Sequence, residues 1–196
     1  TIIGYCLVIA IPVVCYLIIE RYSREAVKLP GYYNIDRVDT VADKFGNTEF
    51  DTIYHRLSDF NLTNQLNHTI TKKDLQGNEV LVDFISSPGS DTCRQLTANL
   101  KKVQGAFSHN DSLLQILSFA VNPQQDSVTR LKQYADKYKI DQDKWWFLTG
   151  DKEQINNLVQ HDFFVDAMNE SGTKRSFIQT GKCLLLDKHK YLRGYY

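Results

Sequence analysis

The chain of 196 residues has only four cysteines, and their positions limit what they can do. Cys6 and Cys15 fall in an uncharged N-terminal stretch, so Cys93 and Cys183 are the two thiols of the remaining sequence. Two thiols are too few for the disulfide framework that holds many small secreted domains together. The sequence therefore predicts a domain held together by a hydrophobic core, and its 42% hydrophobic residues supply the material for one.

The chain also lacks an excess of charge of either sign. It contains 23 basic and 23 acidic residues. Proteins that bind nucleic acids usually present a strongly basic surface, which concentrates the polyanion around them. We therefore expect no nucleic acid among the partners of this protein.

One long hydrophobic run is present, at the N-terminus. Residues 1–19 contain no charged side chain, and Glu20-Arg21 ends the run. A helix needs about 20 apolar residues to cross the hydrocarbon layer of a bilayer. We predict a single transmembrane anchor over residues 1–19. A cleaved signal peptide is the alternative, although no small-residue cleavage pattern precedes Glu20 and no charged segment begins the run.

Two further regions follow the anchor. Residues 20–45 are polar and contain a Pro-Gly turn signal at Pro30-Gly31, which is typical of a tether. Residues 46–196 hold the alternating apolar segments of a folded domain. We predict a membrane-attached protein with a short tether and one globular domain.

The domain alternates between predicted strands and helices. The segment 80–85 is apolar at nearly every position, as expected for a strand that is covered on both faces. Apolar residues spaced for one helix face follow Cys93, and Asn122-Pro123 breaks the chain before another helix. The first predicted element is a hairpin over 60–65 and 68–71. Strands over 80–85, 113–121 and 145–148 come next, and a helix follows each of them. A hairpin over 183–186 and 191–196 is the last predicted element. This order predicts an α/β fold with a mixed central sheet flanked by helices.

Cys93 is the most informative residue for function. A short loop leads from the strand at 80–85 to this cysteine at the predicted start of a helix, where unpaired N–H groups and the helix dipole favour a thiolate. Arg94, Lys101 and Lys102 would add positive charge nearby. Cys93 is therefore a candidate catalytic thiol, with packing as a small buried hydrophobic residue as the alternative. For Cys183, which lies in an apolar strand, packing in the core is the preferred interpretation.

Several segments together resemble the SCO/SenC family. The matching pieces, in the order of that family, are Phe60-Asn-Leu-Thr-Asn-Gln65, Val82-Asp-Phe-Ile85, Ser118-Phe-Ala-Val-Asn-Pro-Gln-Gln-Asp126, Trp145-Trp-Phe-Leu-Thr-Gly150, Leu185-Leu-Asp187 and Arg193-Gly-Tyr-Tyr196. The resemblance covers roughly residues 60 to 196.

The resemblance implies a thioredoxin-like domain attached to the inner (cell) membrane by a single span, on its extracytoplasmic side. Members of the family deliver copper for cytochrome c oxidase assembly, and some act as thiol-disulfide reductants. Their metal site combines a Cys-x-x-x-Cys loop with a distant histidine, and two thiolates with one imidazole suit copper. The implied partners are the membrane, cytochrome oxidase subunits and copper-handling proteins. The family's domain continues into a last helix beyond the position of Tyr196, so we expect the chain to be truncated there.

This sequence departs from the family at the metal ligands. Gly89 stands where the first cysteine is expected, four positions before Cys93, and Gln179 stands where the histidine is expected. A glutamine amide is a hard, weak ligand for copper, so Cys93 is the only retained candidate ligand. Any copper bound here should be held weakly, and we predict no firm cofactor.

Three hypotheses follow for function. The first is a SCO-like accessory protein with a degenerate copper site, which would not be an enzyme. The second is a thiol oxidoreductase that uses Cys93 alone and needs an external thiol reductant, because Gly89 cannot form an internal disulfide. The third is residual copper binding through Cys93 with a ligand from a partner. The histidines, which are His55, His68, His109, His161 and His189, show no metal-like spacing and are expected to lie in turns or on the surface.

Overall fold

The computed structural model describes residues 12–14, 16, 31–42, 48–85, 90–107, 114–164 and 181–196. The chain divides into two compact units, Thr1–Gly31 and Tyr32–Tyr196. In the first unit, residues 12–14 and 16 have helical backbone, and the rest of the predicted anchor lies outside the described residues. Among the helices of the described ranges, none combines the length and the apolar character that a membrane span requires.

The second unit is built on a seven-stranded mixed sheet. Its strands are β3 (Asn61–Asn64), β4 (Thr69–Thr71), β5 (Glu79–Ile85), β6 (Leu114–Ala120), β7 (Trp145–Thr149), β8 (Leu184–Leu186) and β9 (Leu192–Tyr195). They lie side by side in the order β4-β3-β7-β6-β5-β8-β9. The central strands β5, β6 and β7 are parallel, and the outer pairings are antiparallel. The predicted mixed sheet is confirmed.

In the described part of the second unit, three helices cover the two faces of this sheet. They are α1 (Asp91–Ala106), α2 (Val128–Lys137) and α3 (Lys152–Asn157), and α3 continues into a π-helical turn at Leu158–Asp162. Each helix begins at a residue whose side chain accepts a hydrogen bond from a backbone N–H of the first turn: Ser90, Ser127 and Asp151. Such caps satisfy donors that have no partner within the helix. A short 3₁₀ helix, Lys72–Leu75, leads from β4 toward β5.

The central strands are apolar on both sides because both of their faces are buried. Along β5, Val80, Val82 and Phe84 join one core layer, while Leu81 and Ile85 join the other. The first layer packs against α3 and the π-helical turn, and the second packs against α1 and α2. Cys93 belongs to the second layer. Burial on both sides explains why the segment 80–85 shows no alternation of polar and apolar residues.

A separate two-stranded sheet precedes the central one, in a region where we predicted a tether. Strand β1 (Ile35–Ala42) pairs antiparallel with β2 (Thr48–Tyr54). Residues 35–42 of the predicted tether over 20–45 therefore form a strand, and the compact unit begins at Tyr32. Alternating charged and β-branched residues such as Arg37 and Val38 made this strand resemble a solvated linker. Its backbone is ordered by pairing with β2, a contact that composition does not reveal.

The base of this hairpin is fixed to the central sheet by specific contacts. The Tyr33 N–H donates to the carbonyl of Leu192 at 3.0 Å. The ring of Tyr32 lies 4.9 Å from that of Tyr54 and 5.1 Å from that of Tyr191, measured between centroids. The guanidinium carbon of Arg193 lies 4.5 Å from the centroid of Tyr32. A lone hairpin is marginally stable in water, so these contacts are needed to hold it.

We predict that Leu131→Ala destabilises the domain strongly. Leu131 is fully buried in the layer between the sheet and α2, and truncating it would leave a cavity. The expected loss in the free energy of unfolding is about 2–5 kcal/mol, measured by urea denaturation. Gln133→Ala, at an exposed site on the same helix, is the control and should change the value by no more than about 0.5 kcal/mol. Equal effects of the two substitutions would contradict the described packing.

Candidate functional site

Cys93 lies in the first turn of α1, where the sequence predicted it. Its N–H donates to Ser90 Oγ at 3.3 Å, so the helix begins just before the cysteine. The residue is only 7% exposed, and its neighbours in the core layer include Ile85 and Leu100. The thiol is thus held against an apolar surface rather than presented to solvent, an arrangement typical of cysteine used as a small hydrophobic residue.

The three cations that the sequence placed near Cys93 have other partners. Arg94 forms an ion pair with Asp91, one turn of the helix away. The Lys101 ammonium donates to the carbonyl of Tyr138 at 2.5 Å, and the Lys102 ammonium lies 3.5 Å from Asn99 Oδ1. None of these contacts involves the thiol of Cys93. The positive charges that we expected to stabilise a thiolate are therefore engaged in these other contacts.

The other two positions of the family's metal site, Gly89 and Gln179, lie outside the described residues. Within the part of the chain that the structure describes, no three side chains of His, Cys, Asp or Glu converge in a way that could hold a metal ion. Of the three ligand positions, the described residues include that of Cys93, which holds a buried thiol.

Beneath α1, the sheet carries a buried row of polar side chains that the sequence analysis missed. Asp83 on β5 and Ser118 on β6 are direct partners in the parallel register. The Ser118 hydroxyl donates to Asp83 Oδ1 and accepts a hydrogen bond of 2.8 Å from the indole N–H of Trp145. Asp83 and Ser118 are 2% and 0% exposed. The available signal was Asp83 and Ser118, each flanked by apolar residues in its own strand.

Cys183 extends this row on the other side of Asp83. Strand β8 pairs antiparallel with β5, and Val82 is the partner of Leu184. The next pair along that register is Asp83 with Cys183, whose side chains share one face of the sheet. Burial raises the pKa of the Cys183 thiol, and the nearby Asp83 carboxylate raises it further. Cys183 is half-buried and packs against the same core layer as Cys93.

Burial also changes the pKa of Asp83. Removal from water disfavours the carboxylate and raises its pKa to about 7, although the Ser118 hydroxyl stabilises the charged form. The pKa of the Asp83 carboxyl group therefore lies well above its ordinary value of 3.8. Asp83 therefore gains or loses its proton near neutral pH, and its side chain lies between those of Ser118 and Cys183. Carboxyl groups with such a raised pKa occur both in active sites and in buried structural networks.

The described histidines lie apart from one another and do not converge at Cys93. His55 lies between two carboxylates, with Nδ1 2.7 Å from Asp36 Oδ1 and Nε2 3.3 Å from Asp162 Oδ1. The backbone N–H of His189 donates to Asp187 Oδ1 at 2.9 Å in the β8–β9 turn. His109 lies outside the described residues. His55 fixes the base of the β1–β2 hairpin to the π-helical turn, a role that spacing in sequence did not indicate.

Comparison with known proteins identifies the family of this chain. The family model described as SCO1/SenC matches residues 51–196, which is most of the chain. The protein belongs to the SCO1/SenC family. Its match begins within β2 and includes the whole central sheet, Cys93 and the buried polar row.

Individual SCO proteins show the same relationship. The SCO1 protein homolog of Bacillus subtilis is 26% identical over 146 residues, which cover 74% of this chain and 76% of the relative. Among solved structures, BsSco aligns with a TM-score of 0.60 at 23% identity. The alignment covers 72% of this chain and 82% of BsSco. BsSco is described as a member of the Sco family of cytochrome c oxidase assembly proteins and as having a disulfide switch. Copper-bound yeast Sco1 aligns with a TM-score of 0.56 at 20% identity, covering 72% and 82%. The mixed sheet with flanking helices fits the thioredoxin-like fold of Sco proteins, as the sequence predicted.

We predict that Asp83 makes stability depend on pH. Folding raises its pKa, so the native state binds the proton more tightly than the unfolded chain does. Its contribution to stability is present below the unfolded pKa near 3.8, falls as pH rises, and is lost above about 7. At about 1.36 kcal/mol per unit, the change across this window is roughly 4 kcal/mol.

The measurement is urea denaturation at several pH values across this window. The wild-type free energy of unfolding should fall more steeply with pH than that of Asp83→Asn, which keeps an acceptor for Ser118. Glu79→Gln, at an exposed position of the same strand, is the matched control and should follow the wild type. Parallel curves for wild type and Asp83→Asn would show that folding does not shift the pKa of this carboxyl group.

Proposed function

We propose that this protein is a membrane-anchored SCO-type accessory protein related to copper handling and cytochrome c oxidase assembly, with a degenerate metal site that does not hold copper tightly. The observation that carries this proposal is the combination of a family match over 51–196 with glycine and glutamine at two of the three ligand positions. Glycine offers no side-chain donor, and a neutral amide cannot replace imidazole for a soft metal.

The surroundings of Cys93 support the same proposal. A thiol that is 7% exposed and packed with Ile85 and Leu100 is poorly placed to exchange copper with another protein or to attack a disulfide. BsSco is described as having a disulfide switch, and a switch within one Cys-x-x-x-Cys loop requires the thiol that Gly89 replaces. Burial therefore favours the accessory role over a thiol oxidoreductase that acts through Cys93.

The partners we propose follow from the family and the N-terminus. Residues 1–19 would anchor the chain in the inner membrane, with the domain on the extracytoplasmic side, where cytochrome oxidase subunits and copper-handling proteins can reach it. A protein that keeps the family's surface but lacks its ligands could contact such partners without carrying the metal itself.

We predict that the wild-type protein binds Cu(I) weakly and that Gly89→Cys combined with Gln179→His creates tight one-to-one binding. The double substitution adds one thiolate and one imidazole to the retained thiolate of Cys93 and so completes a set of two thiolates and one imidazole. The measurement is titration of the full chain with Cu(I) against a competing chelator. Gly89→Ser with Gln179→Asn is the matched control, because it changes the same positions without supplying a strong donor. Tight stoichiometric binding by the wild type would refute the degenerate site.

A second prediction concerns the anchor. When the full chain is expressed in a bacterium, it should remain in the membrane pellet after washing with alkaline carbonate, because an apolar span is not released by disrupting electrostatic contacts. Ile9→Arg together with Val13→Arg places two charges in the apolar run and should move the protein to the soluble fraction or block its export. Arg21→Ala with Arg24→Ala is the control and should leave the protein in the pellet. Release of the wild type by carbonate would exclude a membrane span.

A further inference from the structure

The β1–β2 hairpin carries a long strand edge that the central sheet does not use. Strand β1 has eight residues and, among the described strands, pairs with β2 alone. On such an edge every second residue directs its N–H and C=O away from its own sheet, and proteins usually protect the edge with lysine, proline or a bulge. Residues 37–42 contain neither lysine nor proline, and the irregularity in the pairing of β1 lies at its base, between Ile35 and Arg37. The edge beyond the base therefore has none of these protections.

One face of the hairpin groups large apolar side chains that are open to solvent. Ile35, Val38 and Phe50 are 58%, 51% and 74% exposed. Phe50 lies opposite Thr40, which is two residues from Val38, so Val38 and Phe50 share a face. Ile35 reaches the same face because the shift in register pairs it with Tyr54. Exposed apolar side chains grouped in this way mark surfaces that contact other molecules.

The charged residues lie on the other face of β1 and restrict which strand can pair with it. Arg37 Nε lies 3.1 Å from Asp39 Oδ2, and both side chains remain accessible to solvent. Asp39 is directly opposite Asp51 in the register of the hairpin. Like charges in such a position destabilise a strand pair. Arg37 thus faces two neighbouring carboxylates, and a second cation beside Asp39 would stabilise the hairpin.

A second copy of β1 supplies that cation. If two β1 strands pair antiparallel about a two-fold axis at Val38, each Val38 lies opposite its copy, and Arg37 of each chain lies opposite Asp39 of the other. Moving the axis by one residue, to Arg37 or to Asp39, would instead oppose two like charges. The sequence of β2 contains Glu49 and Asp51 but no basic residue, so two β2 strands would bring acidic residues together. The charges therefore favour β1 pairing with β1, in one register.

We propose that two copies of this chain form a symmetric dimer through their β1 edges, as a four-stranded sheet in the order β2-β1-β1-β2. The same patch is used by both chains, as in other two-fold dimers. The apolar faces of the two hairpins, which carry Val38 and Phe50, then join into one band across the axis. Strand β1 lies before residue 51, where the family match begins, and the dimer does not depend on the copper-related function proposed above.

The test measures the dissociation constant of the dimer by sedimentation equilibrium of the full chain in a density-matched neutral detergent. Arg37→Asp and Asp39→Arg each turn two attractive pairs across the axis into repulsive ones, so each should weaken the dimer about tenfold or more. A one-to-one mixture of the two variants should form heterodimers about as tight as the wild-type dimer, because opposite charges meet across the axis although neither chain regains its internal ion pair. Lys132→Asp reverses a charge in the exposed ion pair with Asp136 on α2 and should leave the dissociation constant unchanged.

A cross-link tests the register independently of charge. In a chain with Cys6→Ala and Cys15→Ala, Val38→Cys should give a disulfide-linked dimer after mild oxidation with diamide, because opposite residues of an antiparallel pair have Cβ atoms about 4.5–5.5 Å apart. Thr52→Cys, which the dimer would separate from its copy by three strand spacings, should not. Heterodimers in the mixture and the Val38→Cys cross-link would support the proposal. A wild type that stays monomeric at every concentration, a dimer that Arg37→Asp does not weaken, or a mixture that forms no heterodimer would overturn it.

Discussion

The parallel pairing of β5 with β6, buried on both faces, is the constraint on which the rest of the domain depends. Their register fixes which residues face α1 and which face α3. It places Asp83 beside Ser118 and directs the chain leaving β5 toward the start of α1, where Cys93 is held. Antiparallel β8 then adds Cys183 to the same face. The position of each thiol in the domain thus follows from strand pairing and not from any contact between the thiols themselves.

Sequence reasoning located the central elements because their signals are local. The apolar segment 80–85 became β5, and the segment 145–148 became most of β7, since continuous apolar runs are typical of strands covered on both faces. The family resemblance over 60–196 was also predictable, because its motifs can be read directly from the sequence, and the family match confirms it.

Features that depend on tertiary pairing were not predictable. The strand β1 was read as part of a tether because its polar residues alternate with apolar ones, and its partner β2 became apparent only in the structure. The contacts of Arg94, Lys101 and Lys102 turned out to lie away from the thiol, since long flexible side chains select their partners in three dimensions. Asp83 drew no attention in the sequence, because a single acid in an apolar strand gives no indication of what lies opposite it.

The outer strands of the central sheet restrict how this protein can associate with others. Strand β4 has three residues and β9 has four. Strands this short expose few free backbone groups, so extension of the sheet by a partner's strand would gain little hydrogen bonding. Recognition along the central sheet is then carried by side chains. Such contacts can change by single substitutions without altering the fold, so members of the family can acquire new binding partners while their architecture stays the same.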